Sequence, residues 1–202
     1  MTKARLEAFS DGVIAIIITI MVLELRPPAQ PDLAGLRSIS PYLAGYLLSF
    51  VYIGIYWVNH HHLLQTADCV NGRILWANLH LLFWLSLIPF ATAWKYGNHS
   101  LAPLPTALYG AILLMAGVAY FILTRALVHQ HGKHSTLAKA IGSDVKGRIS
   151  IGAYAAAVAF AFVQPWISVA LYILVALMWL VPDRRIEREL GVRECAPDEG
   201  ES

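Results

Sequence analysis

Long runs of apolar residues recur along this chain and constrain its fold more than any other feature. They come in blocks of about 20 residues, the length with which an α-helix spans a hydrocarbon core. Only 14% of the residues are charged, compared with about 25% in ordinary soluble domains. Because a backbone in lipid must satisfy its own hydrogen bonds, such blocks fold as helices. The sequence therefore predicts an all-α membrane protein.

The breaks between the apolar runs divide the chain into six predicted transmembrane helices, all within one membrane domain of residues 1–182. The third helix holds Pro89, and we expect a kink there because proline removes a backbone hydrogen bond. Residues 183–202 mix both charge signs and are predicted to form a cytoplasmic tail. The predicted helices cover residues 5–25, 41–58 with an extension toward three consecutive histidines, 74–94, 105–127, 148–163 and 165–181.

Basic residues are distributed unevenly between the two sides of this arrangement. With the N-terminus in the cytoplasm, the cytoplasmic segments hold 12 of the 15 Lys and Arg residues, and the outer segments hold the other 3. An excess of Lys and Arg on the cytoplasmic side is the usual rule. We therefore expect a multi-pass protein of the cell membrane with both termini in the cytoplasm. Cys69 and Cys195 fall on the cytoplasmic side, so no structural disulfide is expected.

Several function classes have no matching pattern in the sequence. There is no Gly-rich phosphate loop, nucleophile elbow or carboxylate pair, so we predict no enzymatic activity and no cofactor. A net charge of +2 does not indicate a nucleic-acid partner. His129, His131 and His134 form a loose cluster, but the scarcity of acids and cysteines around them favours solvated loop positions over a metal site. Three consecutive histidines, 60–62, point in different directions on a helix and cannot share one metal.

The first predicted helix has two different faces. Asp11 lies one or two turns into it, where an acid either faces protein or water or simply favours the start of the helix through the dipole. On a helical wheel Asp11 lies about 140° from Ile16, so the two side chains cannot face the same surface. By spacing alone, an aliphatic stripe is typical of packing or lipid contact. The stripe falls within about 40° of one line, with Thr19 about 60° to its side, and consists of Phe9, Ile16, Ile20 and Leu23.

The same helix carries a motif that resembles a known family. It reads Arg5-x-x-x-Phe9-Ser10-Asp11-Gly12-Val13 and continues into Ile16, Thr19 and residues 22–25. Together with Tyr56-Trp57-x-x-His60-His61, and with Asn78 followed by Pro89-Phe90, it resembles the lysosomal potassium channel family, transmembrane protein 175. The chain is similar to the prokaryotic members, which have one six-helix repeat where animal members have two. The motifs cover helices 1 to 3, and the topology covers the whole chain.

This resemblance implies a homotetrameric potassium channel in which helix 1 of each subunit lines a central pore. By its match to the family, Ile16 is the hydrophobic constriction, and Ile20 and Leu23 form further apolar layers. Thr19 matches a threonine ring connected with a modest preference for potassium over sodium. Potassium is then the permeant ion, and the expected partners are membrane lipid and three further copies of the chain.

The resemblance also implies a structural role for the motif, which would pin helix 1 to helices 2 and 3. The motif residues are Arg5, Phe9, Ser10 and Asp11, and their expected partners are Trp57, His60, His61 and Asn78. The alternative function is a proton-coupled or metal cation transporter that uses Asp11 and the histidines. Transporters typically show broken helices and midplane charges in repeated halves. The sequence shows neither, which favours the channel.

Overall fold

A computed structural model describes residues 2–67, 69–97, 101–131 and 145–180, and these residues form eight helices. All secondary structure in the described part is helical, which confirms the all-α prediction. The predicted tail and most of the loop that holds His134 lie outside the described residues. The helices are α1 (Lys3–Leu23), α2 (Leu33–Ser38), α3 (Ser40–Gln65), α4 (Gly72–Ser86), α5 (Ile88–Gly97), α6 (Pro103–His131), α7 (Val145–Phe160) and α8 (Pro165–Leu180).

Four stretches of the described chain are long and apolar enough to cross a membrane. They are α1, α3, the combined α4–α5 segment Gly72–Gly97, and Pro103–Gln130 of α6. The apolar helix α8 is shorter, and α7 has 16 residues. By length and composition these helices suit a membrane protein, in agreement with the prediction.

The third predicted helix is divided in two. Helix α4 ends at Ser86 with Leu87 as its C-cap, and α5 starts at Ile88. Pro89 is the second residue of α5, where the missing N–H and the fixed φ of proline are tolerated. The predicted kink at Pro89 is therefore confirmed as a break between two helices.

The sequence patterns did not predict α2, which lies in the connection between α1 and α3. Its N-cap is Asp32, whose carboxylate oxygen accepts a hydrogen bond from the Gly35 N–H at 2.7 Å. An acidic N-cap before a short run of helix formers was the available signal. With six residues, this helix is too short to give a recognisable hydrophobic period.

Helix α1 lies at one side of the bundle, whereas α6 packs against α4, α5, α7 and α8. Helix α1 packs against α3, α4 and α5, whereas α7 and α8 pack against each other and against α6. Helices α4 and α6 contribute fully buried aliphatic side chains to the hydrophobic core, such as Leu81, Leu85 and Leu113. Because all partners of α1 lie on one side of it, the other side of α1 remains uncovered within the subunit.

A buried chain of hydroxyl groups joins α3, α5 and α6. The Thr92 hydroxyl donates to the Ile88 carbonyl at 2.7 Å, so it accepts from Ser49, whose oxygen lies 2.8 Å away. Ser49 in turn accepts from the Tyr109 hydroxyl at 2.9 Å. Each donor and acceptor in this chain is paired, which removes the cost of burying it.

Helices α3 and α5 approach each other closely at Gly45. A Cβ built on Gly45 would overlap the Tyr96 ring at the atoms nearest its backbone, so the ring cannot move aside without shifting α5. Gly54, on the same helix, has nothing within 4 Å of the corresponding position. The close approach therefore depends on the absence of a side chain at Gly45.

We predict that Gly45→Ala destabilises the protein, because overpacking costs about 1–3 kcal/mol. Gly54→Ala is the matched control, and it should be neutral or stabilising because alanine favours helix by about 0.5–1 kcal/mol relative to glycine. The measurement is the thermal unfolding of the purified protein, monitored by size-exclusion chromatography. Equal midpoints for the two variants would contradict the close approach of α3 and α5.

Candidate functional site

Helix α1 presents one buried face and one exposed face. Its buried residues recur every three or four positions, as expected for a helix that packs on one side: Leu6, Ser10, Ile14, Ile17 and Met21. Neighbouring positions differ sharply, since Ile16 is 58% exposed and Ile17 is 3% exposed. The two faces of the helix therefore meet different surroundings.

A chain of three buried polar side chains connects α1 to α4 and α3. The Ser10 hydroxyl donates to the Leu6 carbonyl at 2.8 Å and accepts from the Asn78 amide nitrogen at 2.9 Å. The Asn78 amide oxygen lies 2.7 Å from His60 Nε2. Because an amide oxygen only accepts, the proton of His60 is on Nε2. Ser10, Asn78 and His60 are all fully buried, so this chain fixes the contact between three helices.

A second, more exposed set of contacts joins α1 to α3. The Trp57 indole N–H donates to an Asp11 carboxylate oxygen at 3.0 Å. The same indole ring stacks on His61 with the ring centres 6.2 Å apart, and His61 Nδ1 lies 3.7 Å from the Glu7 carboxylate. The sequence reasoning missed Glu7. Its position one helical turn before Asp11, on the same side of α1, was the available signal.

The structure thus places the predicted motif residues in two groups. Ser10, His60 and Asn78 form the buried chain, and Asp11, Trp57 and His61 form the exposed set. Arg5 and Phe9 are exposed, and the Arg5 side chain makes no hydrogen bond or ion pair with the residues that the structure describes. The anchoring of α1 therefore depends more on the neutral Ser10 than on the charged members of the motif.

The uncovered face of α1 carries the predicted pore residues. Ile16, Ile20 and Leu23 are exposed, the last of them by 80%. Thr19 is exposed on the same side, and its hydroxyl donates to the Ile16 carbonyl at 2.9 Å. Because that proton is used within the helix, the oxygen lone pairs of Thr19 are directed away from the backbone. This face therefore combines large apolar groups with one oxygen acceptor.

The described residues give no support to a metal site. Within the described ranges, no group of three His, Cys, Asp or Glu side chains is arranged to hold a metal ion. The consecutive histidines also have different surroundings, with His60 on Asn78 and His61 beside Glu7. This geometry therefore gives no support to the alternative function, a transporter that uses Asp11 and the histidines to bind a metal.

We predict that Asn78→Leu destabilises the protein, because it leaves the buried N–H of His60 without an acceptor at a cost of about 1–3 kcal/mol. Asp11→Asn is the matched control, and it should change stability little because the amide oxygen still accepts from Trp57. Thermal unfolding midpoints of the two purified variants measure the difference. A smaller loss for Asn78→Leu than for Asp11→Asn would show that the buried chain does not hold α1.

Known proteins resemble this chain in the same helices that form the contacts described above. A family model described as "Endosomal/lysosomal potassium channel TMEM175" matches residues 5–89, which cover most of α1, all of α2, α3 and α4, and the first residues of α5. A potassium channel from a Chryseobacterium species is 55% identical over 94% of this chain and 98% of its own length. A potassium channel from Chamaesiphon minutus is 30% identical over 86% of this chain and 91% of its own length.

A solved structure has the same fold. It is the crystal structure of a lysosomal potassium-selective channel TMEM175 homolog from Chamaesiphon minutus, with a TM-score of 0.76 and 30% sequence identity. The alignment covers 91% of this chain and 97% of the other. Both the sequence and the fold therefore match over nearly the whole chain, and the chain belongs to the TMEM175 family.

Proposed function

We propose that this chain is the subunit of a potassium channel in which α1 helices from four copies line a central pore. The relatives named potassium channels support the function, and they match almost the full chain. The observation that carries the pore assignment is the exposed face of α1, which is opposite the face held by Ser10 and Asn78. An ion channel performs no covalent chemistry, so this function requires no cofactor and no enzymatic activity.

The proposal includes six membrane crossings per subunit. Helices α7 and α8 each have 16 residues, and at 1.5 Å per residue each is roughly 24 Å long, near the hydrocarbon thickness. They pack beside α6, which is one of the four long apolar stretches. With the N-terminus in the cytoplasm, Arg125 near the end of α6 and Lys146 at the start of α7 lie on the cytoplasmic side, as the positive-inside rule favours.

In this arrangement Ile16 forms the narrowest part of the pore. Four copies of its side chain would meet around the axis and exclude water from a short length of the path. Ile20 and Leu23 follow at about 6 Å and 10 Å along the helix, given a rise of 1.5 Å per residue. Successive apolar layers of this kind provide a barrier to hydrated ions that depends on pore width.

Thr19 supplies the oxygen atoms that partly replace the hydration shell of an ion. Its hydroxyl proton is already donated to the Ile16 carbonyl, so its oxygen is available to a cation. Potassium holds its water less tightly than sodium, and four threonine oxygens compensate more of its dehydration. Side-chain oxygens at a single level predict a modest preference for potassium, unlike the rings of backbone carbonyls in other potassium channels.

We predict that Ile16→Asn increases ion flux, because a polar side chain in the constriction favours wetting. Ile17→Asn is the matched control at the neighbouring position. Ile17 faces the core, so its replacement should reduce the yield of assembled protein without a gain in flux. Potassium flux into liposomes, normalised to the recovered oligomer, measures both effects.

The two variants distinguish the surfaces that Ile16 could occupy. A lipid-facing Ile16 would give normal or lower yield and no increase in flux. An Ile16→Asn protein that assembles normally and conducts no more than the wild type would contradict the proposed constriction.

We predict that Thr19→Val lowers the permeability ratio of potassium to sodium, because it removes one oxygen per subunit and keeps the shape. Thr19→Ser, which retains the hydroxyl, should keep most of the potassium-to-sodium permeability ratio of the wild type. Reversal potentials under bi-ionic conditions measure the ratio. An unchanged reversal potential in Thr19→Val, with conduction retained, would exclude Thr19 as the selectivity position.

A further inference from the structure

A cleft to which α1 contributes no residue is not used by the proposed channel mechanism. It is an open cleft between α3, α6, α7 and α8, and the empty space in it, counted together with the solvent at its mouth, is about 510 Å³. Its walls are mainly aromatic and include Tyr52, Tyr56, Tyr120, Phe121, Tyr154 and Trp179.

Three polar side chains of the cleft walls, Asn59, Tyr120 and Trp179, donate hydrogen bonds to partners within the protein. Tyr120 donates to the Asn59 carbonyl at 3.2 Å, and Asn59 donates to the Ile55 carbonyl at 2.7 Å. The Trp179 indole N–H donates to Ser150 at 2.8 Å. The walls therefore present ring faces and aliphatic groups to an occupant, which favours an apolar one.

Two positive charges lie against aromatic residues of the walls. The Arg125 guanidinium is 4.9 Å from the centre of the Phe121 ring, and the Lys146 ammonium is 6.0 Å from the centre of the Trp179 ring. Arg125 is exposed, and Lys146 lies in the first turn of α7, which forms one side of the cleft. An apolar interior with cations at its edge complements a molecule that has an apolar chain and an anionic head.

We propose that this cleft binds one acyl chain of an anionic phospholipid from the cytoplasmic leaflet, with the headgroup phosphate held between Arg125 and Lys146. The cytoplasmic position rests on the membrane orientation proposed above. We choose a phospholipid as the occupant because the surrounding bilayer supplies phospholipids at high local concentration. Anionic lipids are attracted to basic residues at this surface.

Gly117 provides a way to fill the cleft without disturbing the helices. A Cβ on Gly117 would lie 3.8 Å from the Tyr56 hydroxyl oxygen and 4.0 Å from Tyr154 Cε2, which is ordinary contact. The larger side chain of Gly117→Leu therefore extends into the space that the acyl chain would occupy. The effect on binding should be the same for every phospholipid headgroup.

The test is native mass spectrometry of the purified full-length protein, titrated with phosphatidylglycerol or with phosphatidylcholine of the same acyl chains. The wild type should bind one phosphatidylglycerol per subunit more tightly than phosphatidylcholine. Arg125→Gln should weaken phosphatidylglycerol binding about five-fold, the equivalent of about 1 kcal/mol for one basic residue near the membrane surface. Gly117→Leu should reduce binding of both lipids.

The control for charge is Arg73→Gln, an exposed cation at the start of α4 that does not line the cleft. It should leave phosphatidylglycerol binding unchanged. The proposal is overturned if Arg73→Gln weakens binding as much as Arg125→Gln, or if Gly117→Leu binds phosphatidylglycerol like the wild type. Should Gly117→Leu not yield monodisperse protein, the comparison of Arg125→Gln with Arg73→Gln decides alone. Since the readout is lipid binding, its outcome is independent of whether α1 lines a pore.

Discussion

The hydrogen-bonded chain from His60 through Asn78 to Ser10 determines which face of α1 is left uncovered. All three side chains are fully buried, so a break in the chain leaves a polar group unpaired at a cost of about 1–3 kcal/mol. A rotation of α1 by one residue, about 100°, would carry Ser10 away from Asn78 and bury either Phe9 or the charged Asp11. The exposure of Ile16, Thr19, Ile20 and Leu23 therefore depends on one serine hydroxyl on the opposite side of the helix.

Contacts elsewhere in the bundle hold α3 in position for its contact with α1. Eleven residues before His60 on α3, Ser49 is bonded to Thr92 and Tyr109, which ties α3 to α5 and α6. At 1.5 Å per residue the two polar layers are roughly 16 Å apart along α3, and the side chains of α3 buried between them are Tyr52, Ile53 and Tyr56. Directional bonds near both ends of an apolar core fix the register of the helices, which apolar packing alone specifies weakly.

The sequence predicts the features that depend on local pattern and misses those that depend on long-range contacts. The apolar runs, the break at Pro89 and the two faces of α1 all follow from composition and period, because neighbouring residues decide them. The importance of Ser10 relative to Asp11 does not follow, since a serine is unremarkable until Asn78 is known to lie 2.9 Å away. The contact of Glu7 with His61 and the cleft between α3, α6, α7 and α8 likewise arise from distant parts of the chain.

The continuous backbone of α1 limits how a pore built from it could work. Its carbonyl groups are used within the helix, so an ion in such a pore meets only side chains, and the contribution of Thr19 is one oxygen per subunit. The contacts of α1 within the subunit also limit how the width of the pore can change. A rotation of α1 would break the buried bonds of Ser10, whereas a tilt or bend beyond that anchor would keep them and still move Ile20 and Leu23. In a channel of this design, widening by tilt therefore costs less than widening by rotation.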